Sequence, residues 1–323
     1  MVASGLRWGR APSTVAAMSV ASWILGRRGA SGFGYASTAE EVTAGLDLRG
    51  KTVLVTGVSS GLGLESARVL SMRGARIVAT ARTREKAAEA CRAFAGDVVS
   101  VACELSDPAS VRACVAEVGA LGFELDVILC NAGIMALPKR EVLHGQELQF
   151  FTNHVGHFML VTGLLDKLSS DARVVMLSSS AHKMAPRTGI NFDDLSFATK
   201  YAPWTAYGQS KLANLLFARA LARRFAGTKR TANAVHPGVI ATNLGRHMGL
   251  VAKLGYPVMS VLALKNVGEG AATQVYVASH PSLATVSGEY FADCNLAPSS
   301  KHGHDDKMAE RLWTVTEEIV AGL

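Results

Sequence analysis

Tyr207 and Lys211 stand four residues apart in Tyr207-Gly208-Gln209-Ser210-Lys211, at the opening of a strongly helical stretch. That spacing is about one helical turn, so both side chains rise from one face and can share a site. A free phenol, with a pKa of about 10, exchanges protons poorly at neutral pH. A neighbouring ammonium and the positive charge of a bound cofactor both favour the phenolate. The pair is therefore a candidate acid/base device, with Tyr207 moving a proton and Lys211 tuning it.

A second chemical signal is Thr56-Gly57-Val58-Ser59-Ser60-Gly61-Leu62-Gly63, set between a β-branched run and a helical stretch. Strand, Gly-rich turn and helix in succession are what pyrophosphate binding requires. The turn needs positive φ, and a helix start presents unpaired N–H groups to phosphate oxygens. Gly57, Ser59, Ser60, Gly61, Leu62 and Gly63 are the candidate cofactor contacts; the alternative is a tight turn with no ligand. The second strand ends at Arg82, where an acid would accept hydrogen bonds from the ribose 2′-hydroxyl of NAD. A guanidinium instead suits a 2′-phosphate, with Ser59 able to add a hydroxyl, so NADP(H) is expected over NAD(H). The alternative for Arg82 is a solvated surface side chain.

The elements that must position these residues alternate regularly. Strand-like runs are Thr52 to Thr56, Arg76 to Ala81, Val98 to Cys103, Asp126 to Cys130, Arg173 to Ser178 and Thr231 to His236, with a seventh near Glu289 to Phe291. Helical periodicity marks Leu62 to Met72, Arg84 to Phe94, Pro108 to Val118, Gly145 to Leu168, Ala206 to Phe225 and Val267 to Ser279. This β-α-β order predicts an α/β fold: a single doubly wound Rossmann domain with a mostly parallel seven-stranded sheet, binding ligands beyond the carboxyl ends of its strands.

Apolar residues make up 49% of the 323 and charged residues 18%, enough for a large core. Cys91, Cys103, Cys114, Cys130 and Cys294 form no CxxC pair and read as reduced thiols. The net charge of +7 is scattered, without a basic run interleaved with aromatics, so nucleic acid is not expected as a partner. Residues 1–45 read as a leader and 46–323 as the domain. Residues 1–39 carry Arg7, Arg10, Arg27 and Arg28 and no acid, a composition that resembles a targeting segment. The apolar stretch Val15 to Leu25 is too short to span a bilayer, which leaves peripheral membrane contact as the expectation. A leader with no destination is the alternative.

From about residue 48 to near its C-terminus the chain resembles the short-chain dehydrogenase/reductase family. Thr56 to Gly63 fits that family's cofactor turn, Asn131-Ala132-Gly133 its sheet-stabilising motif, Tyr207 and Lys211 its catalytic pair, and Pro237-Gly238 through Thr242 its nicotinamide-side loop. Asn153 falls where the family places a helix asparagine that holds a relay water, and Ser179 aligns with the carbonyl-orienting serine. Ser178 and Ser180 stay open as alternatives to Ser179, as does a serine run that merely ends a strand. The resemblance implies that Ser179 bonds the substrate oxygen, Tyr207 transfers its proton, and Lys211 binds the nicotinamide ribose. Glu104, followed by Leu105, stands where the family usually has an adenine-contacting Asp, which puts that contact in doubt.

Ser178 to His182 and Ser210 to Asn214 are similar to the retinol dehydrogenase branch. Gly29 to Gly34, Ser37 to Val42 and Leu264 to Val267 are similar to a plant subgroup of the chloroplast inner envelope. This likeness implies a chloroplast location, inner envelope or stroma, with cytoplasm as the alternative. About seventeen residues precede the usual start near Met18. A lipophilic carbonyl or alcohol would suit the Leu-, Val- and Met-rich stretch from Asn243 to Leu264, which otherwise reads as a packed lid or subunit contact. Oligomeric state stays open. The C-terminal helix carries Glu310, Glu317 and Glu318 against Arg311, whereas calmodulin prefers basic targets, so calmodulin binding is not carried over. His144, His154 and His157 approach metal-ligand spacing, as do His302 and His304, but no acidic or cysteine partner completes a site, and none is expected. No Gly-x-Ser-x-Gly surrounds Ser178 to Ser180, which removes the hydrolase reading of that serine run. An NADP(H)-binding, redox-sensing subunit of an envelope complex is the alternative to an enzyme.

Overall fold

A computed structural model of the chain describes residues 27–240 and 265–323. Short β-branched runs form the strands β1 (Thr52–Thr56), β2 (Arg76–Ala81), β3 (Val98–Ala102) and β4 (Leu125–Cys130). After a two-residue hairpin, β5 (Val142–Leu143) and β6 (Gln146–Glu147), the sheet resumes with β7 (Leu168–Leu177), β8 (Thr231–His236), β9 (Tyr290–Ala292) and β10 (Asn295–Leu296). The order across the main sheet is β10-β9-β8-β7-β4-β1-β2-β3, parallel except for β9 with β10. The chain starts in the middle, builds to one side through β3, then returns to β4 on the other. The crevice between β1 and β4 is therefore the switch point where a doubly wound sheet binds ligands.

The sheet has eight strands rather than the seven expected. The additional strand, β10, turns back on β9 through Asp293 and Cys294, both at positive φ. Two residues are too few to show an alternation in the sequence.

Successive strand residues face opposite layers. Leu54 and Ile128 enter one core, packed under helices that include Pro108–Gly119 and Pro203–Arg224. Val53, Val55, Val127 and Leu129 enter the other, under α2 (Gly61–Met72) and Val267–Ser279.

The helix expected from Gly145 to Leu168 differs at both ends. His144 and Gly145, at φ 48° and 79°, make the tight turn of the β5–β6 hairpin. Buried Glu147 then caps the helix, accepting from the N–H groups of Gln149 and Phe150. The helix runs Leu148–Phe150, a π-helical turn Phe151–Val155, and Gly156–Gly163, and Leu168 already belongs to β7.

Residues 28–45, expected in the leader, are docked on the domain. Asn295 accepts from Ser31 N–H (3.0 Å) and donates to the Phe33 carbonyl (3.0 Å). The short helix α1 (Ala39–Val42) is capped reciprocally by Thr38 and Glu41 and buries Ala39 and Val42. The expected segment Val15 to Leu25 and lid 243–264 lie outside the described residues.

Candidate active site

The turn after β1 is built from contacts between the ends of three strands. Gly57 has φ 75°, and a Cβ there would sit 2.9 Å from Ala132. A Cβ on Gly63 would lie 2.4 Å from the Gly57 carbonyl, so α2 approaches the turn only because that residue is glycine. The N–H groups of Gly57 and Val58 donate to the Thr80 carbonyl, which holds the turn against the end of β2. Arg82 follows directly, exposed and without a partner among the described residues. Ser59 and Ser60 are exposed, Leu62 is half-buried, and no side chain caps α2 at Ser60. Its first N–H groups are left for a ligand's oxygens, a cradle that fits a dinucleotide pyrophosphate.

Asn131 and Ala132 close the crevice from β4. Their N–H groups both donate to Thr56 Oγ1 (2.9 Å each), and Asn131 Nδ2 donates to the Thr56 carbonyl. With two donors on its oxygen, Thr56 gives its own proton to His157 Nε2 (2.9 Å). His157 Nδ1 in turn donates to the Asn153 carbonyl (2.8 Å), which leaves one neutral tautomer. Asn153, fully buried in the π-helical turn, clamps Ile134 through both N–H and carbonyl (2.8 and 2.9 Å) and donates to Ser210 Oγ (2.9 Å). Gly133 is hemmed between Asn153 and Lys211, whose side-chain atoms a Cβ would meet at 2.9 and 3.5 Å. His154, one residue beyond Asn153, packs among Phe150, Phe158 and Phe217 and bonds Thr316 (3.0 Å).

Tyr207 and Lys211 lie in the first half of α7 (Pro203–Arg224), which has a proline in its first turn and follows α3 (Arg84–Cys91), α4 (Pro108–Gly119), α5 (Leu148–Phe150) and α6 (Gly156–Gly163). Both side chains are buried, with the Lys211 ammonium 5.7 Å from the centre of the phenol ring. Lys211 Nζ donates to the Leu177 carbonyl at the end of β7 (2.9 Å). Burial pushes the Tyr207 phenol up to about 12, opposed by a hydrogen bond with Ser179. Burial also pulls the Lys211 ammonium down to about 8. Both shifts oppose charge, so a phenolate forms here only when further positive charge enters the site.

The three serines after β7 have different environments. Ser178 is buried and its hydroxyl donates to the Lys211 carbonyl (2.8 Å). Ser180 is exposed. Ser179, half-buried between them, is the one whose hydroxyl opposes the upward shift of the Tyr207 phenol.

Glu104 and Leu105 follow β3. The Glu104 carboxylate accepts from Ser106 N–H and Oγ (3.1 and 2.8 Å), and Leu105 is buried, its carbonyl 2.3 Å from where a Cβ on Gly156 would lie. Pro237 and Gly238 leave β8, Gly238 at φ 93°; Thr242 lies outside the described residues. Sequence reasoning missed Lys265, whose stem fills the space beside Gly238 while its buried ammonium bonds Asp293 (2.6 Å) and lies 4.6 Å from the ring centre of Tyr35. It also missed His182, buried beneath the Ser179 turn. Both lie in the family-like stretches Ser178 to His182 and Leu264 to Val267, but the contacts that give each a role come in part from distant segments.

A family model described as short chain dehydrogenase matches residues 51–192. The chain is 41% identical to the short-chain dehydrogenase TIC 32 A, chloroplastic, of Brassica napus, over 95% of this chain and 100% of that one. It is 37% identical to human retinol dehydrogenase 14, over 96% and 97%. Among solved structures, one described as a Pseudomonas aeruginosa RhlG/NADP active-site complex matches with a TM-score of 0.61 at 26% identity, covering 76% of this chain and 95% of that one.

Proposed function

The chain belongs to the short-chain dehydrogenase/reductase family of oxidoreductases, and from that premise we propose that it is an NADP(H)-dependent enzyme interconverting a lipophilic carbonyl and its alcohol. The observation that carries this reading is the convergence of Ser179, Tyr207 and Lys211 beside the Gly57–Gly63 turn, at the carboxyl end of the sheet.

The nicotinamide supplies the hydride when bound. In the reduction direction, Ser179 Oγ and Tyr207 Oη hold the carbonyl oxygen, and Tyr207 delivers the proton that oxygen takes up. Lys211, fixed through Leu177, orients the ribose and adds the positive charge that offsets the cost of the Tyr207 phenolate. Exposed Arg82 and Ser59 favour a 2′-phosphate, in keeping with the NADP named for the RhlG complex. A retinoid, fatty or terpenoid aldehyde agrees with the likeness to retinol dehydrogenase 14. A chloroplast location rests on the likeness to TIC 32 A, chloroplastic, and peripheral membrane contact on the arginines and apolar stretch of the leader; no helix among the described residues is long and apolar enough to cross a membrane.

The test is turnover by the full chain with NADPH or NADH and a panel of all-trans-retinal, nonanal and citral. NADPH oxidation with at least one aldehyde is expected, abolished in Tyr207→Phe, with NADPH binding retained. Unchanged turnover in Tyr207→Phe would remove the mechanism.

A further inference from the structure

β7 ends at Leu177, and the Ser178 N–H to Val235 carbonyl bond (2.8 Å) is the last of its ladder. Ser179 therefore sits past the sheet, and something else must hold it. The 3-10 turn Ser180–Met184 contributes one part: Ser179 Oγ accepts from Ala181 N–H (3.2 Å), and its carbonyl accepts from His182 N–H (3.0 Å).

The imidazole of His182 contributes the other. Its Nδ1 lies 2.6 Å from the Ser179 carbonyl, an acceptor only, so Nδ1 carries the proton. Its Nε2 lies 2.9 Å from Ser300 N–H, a donor only, so Nε2 is bare. The ring is 1% exposed and meets Tyr290 edge-on at 5.1 Å. Ser300 opens a C-terminal turn, Lys301–His304, that is tied to the same loop by His302 Nε2 donating to the Arg187 carbonyl (3.0 Å).

We propose that His182 is a positioning residue for Ser179, linking the carbonyl-orienting hydroxyl to the C-terminal segment through Ser300. This rests on the reading of Ser179 and Tyr207 above. Neutral imidazole is the one side chain here that donates to the Ser179 carbonyl and accepts from Ser300 at once.

The test uses the full chain with NADPH and whichever aldehyde of the panel it reduces fastest. His182→Ala should lower kcat roughly tenfold, as expected for about 1.4 kcal/mol of lost positioning, with NADPH affinity changed less than about twofold. His182→Gln, which keeps one donor and one acceptor, should recover most of that loss. In a Ser179→Ala background, His182→Ala should add nothing further. Should His182→Ala fail to fold, Ser300→Pro, compatible with φ −70°, removes the N–H together with a hydroxyl that has no partner among the described residues, and should lower kcat several-fold. An undiminished kcat in Ser300→Pro, or an equal His182→Ala penalty with and without Ser179, would overturn the proposal. Full turnover by Ser179→Ala alone would overturn the functional reading and this one with it. Loss in Ser179→Ala with full turnover in His182→Ala would overturn only the role of His182.

Discussion

Arg82 and the serine run carry the sharpest tests at the residue scale. A guanidinium without a partner among the described residues, beside the cofactor turn, gains a charge-assisted contact with a 2′-phosphate worth about 1.5 to 3 kcal/mol. Arg82→Ala should therefore weaken NADPH binding by roughly ten- to a hundredfold and leave NADH nearly unchanged, measured by cofactor fluorescence titration. Equal affinities of the unaltered protein for the two cofactors would refute the assignment. The neighbouring serines should separate by readout. Ser178→Ala removes a buried hydrogen bond to Lys211 and should cost about 1 kcal/mol of stability, seen as a lower denaturant midpoint. Ser179→Ala should instead depress kcat while the midpoint stays near that of the parent.

Two elements act as supports whose removal has a defined direction. Gly208 lets the Ser179 turn lie directly on α7, since a Cβ there would come within 2.6 Å of the Ala181 carbonyl and 2.7 Å of Ala185 N. Gly208→Ala should therefore push the turn away from Tyr207 and lower kcat, although alanine favours the helix itself. The other support is the strip 28–45. Val42 is buried, Phe33 packs edge-on to Tyr276 at 5.5 Å, and Thr38 caps α1. Losing one buried aliphatic side chain and one cap costs about 3 kcal/mol. A chain beginning at Arg27 should keep the melting temperature of the full chain and lose plastid association, whereas one beginning at Asp47 should melt lower. Equal melting of the two shortened chains would show that the docked strip contributes nothing.

At the scale of the whole molecule, buried histidines set the acid limit, His154 and His157 foremost among them. Burial holds His154 down to about 3 and His157 down to about 4, against 6.5 when unfolded. A proton on His154 Nδ1 would find no acceptor among the described residues. Both folded values lie below the unfolded one, so below pH 6.5 the unfolded chain binds protons that the folded chain refuses, and stability falls as pH falls. At pH 5 each histidine costs about 2 kcal/mol, roughly 4 kcal/mol together, a large share of a typical domain's stability. The urea midpoint should drop clearly between pH 7 and pH 5, and His154→Gln should flatten the decline. A midpoint independent of pH over that range would contradict the burial of these rings.

What the sequence determined by itself was set by local rules. Strand and helix periods, the Gly-rich turn and the one-turn spacing of Tyr207 and Lys211 depend on residues a few positions apart, and apart from the stretch Gly145 to Leu168 they are found close to where expected. Tertiary structure decided whatever depends on a distant partner. Ser179 is distinguished from Ser178 by which side of α7 each meets, the tautomer of His157 by Thr56 from another strand, and the docking of residues 28–45 by Asn295 near the far end of the chain. The His182–Ser300 link arises the same way. A hydrogen bond between residues more than a hundred positions apart leaves no period in the chain, because only the closed fold brings its donor and acceptor together.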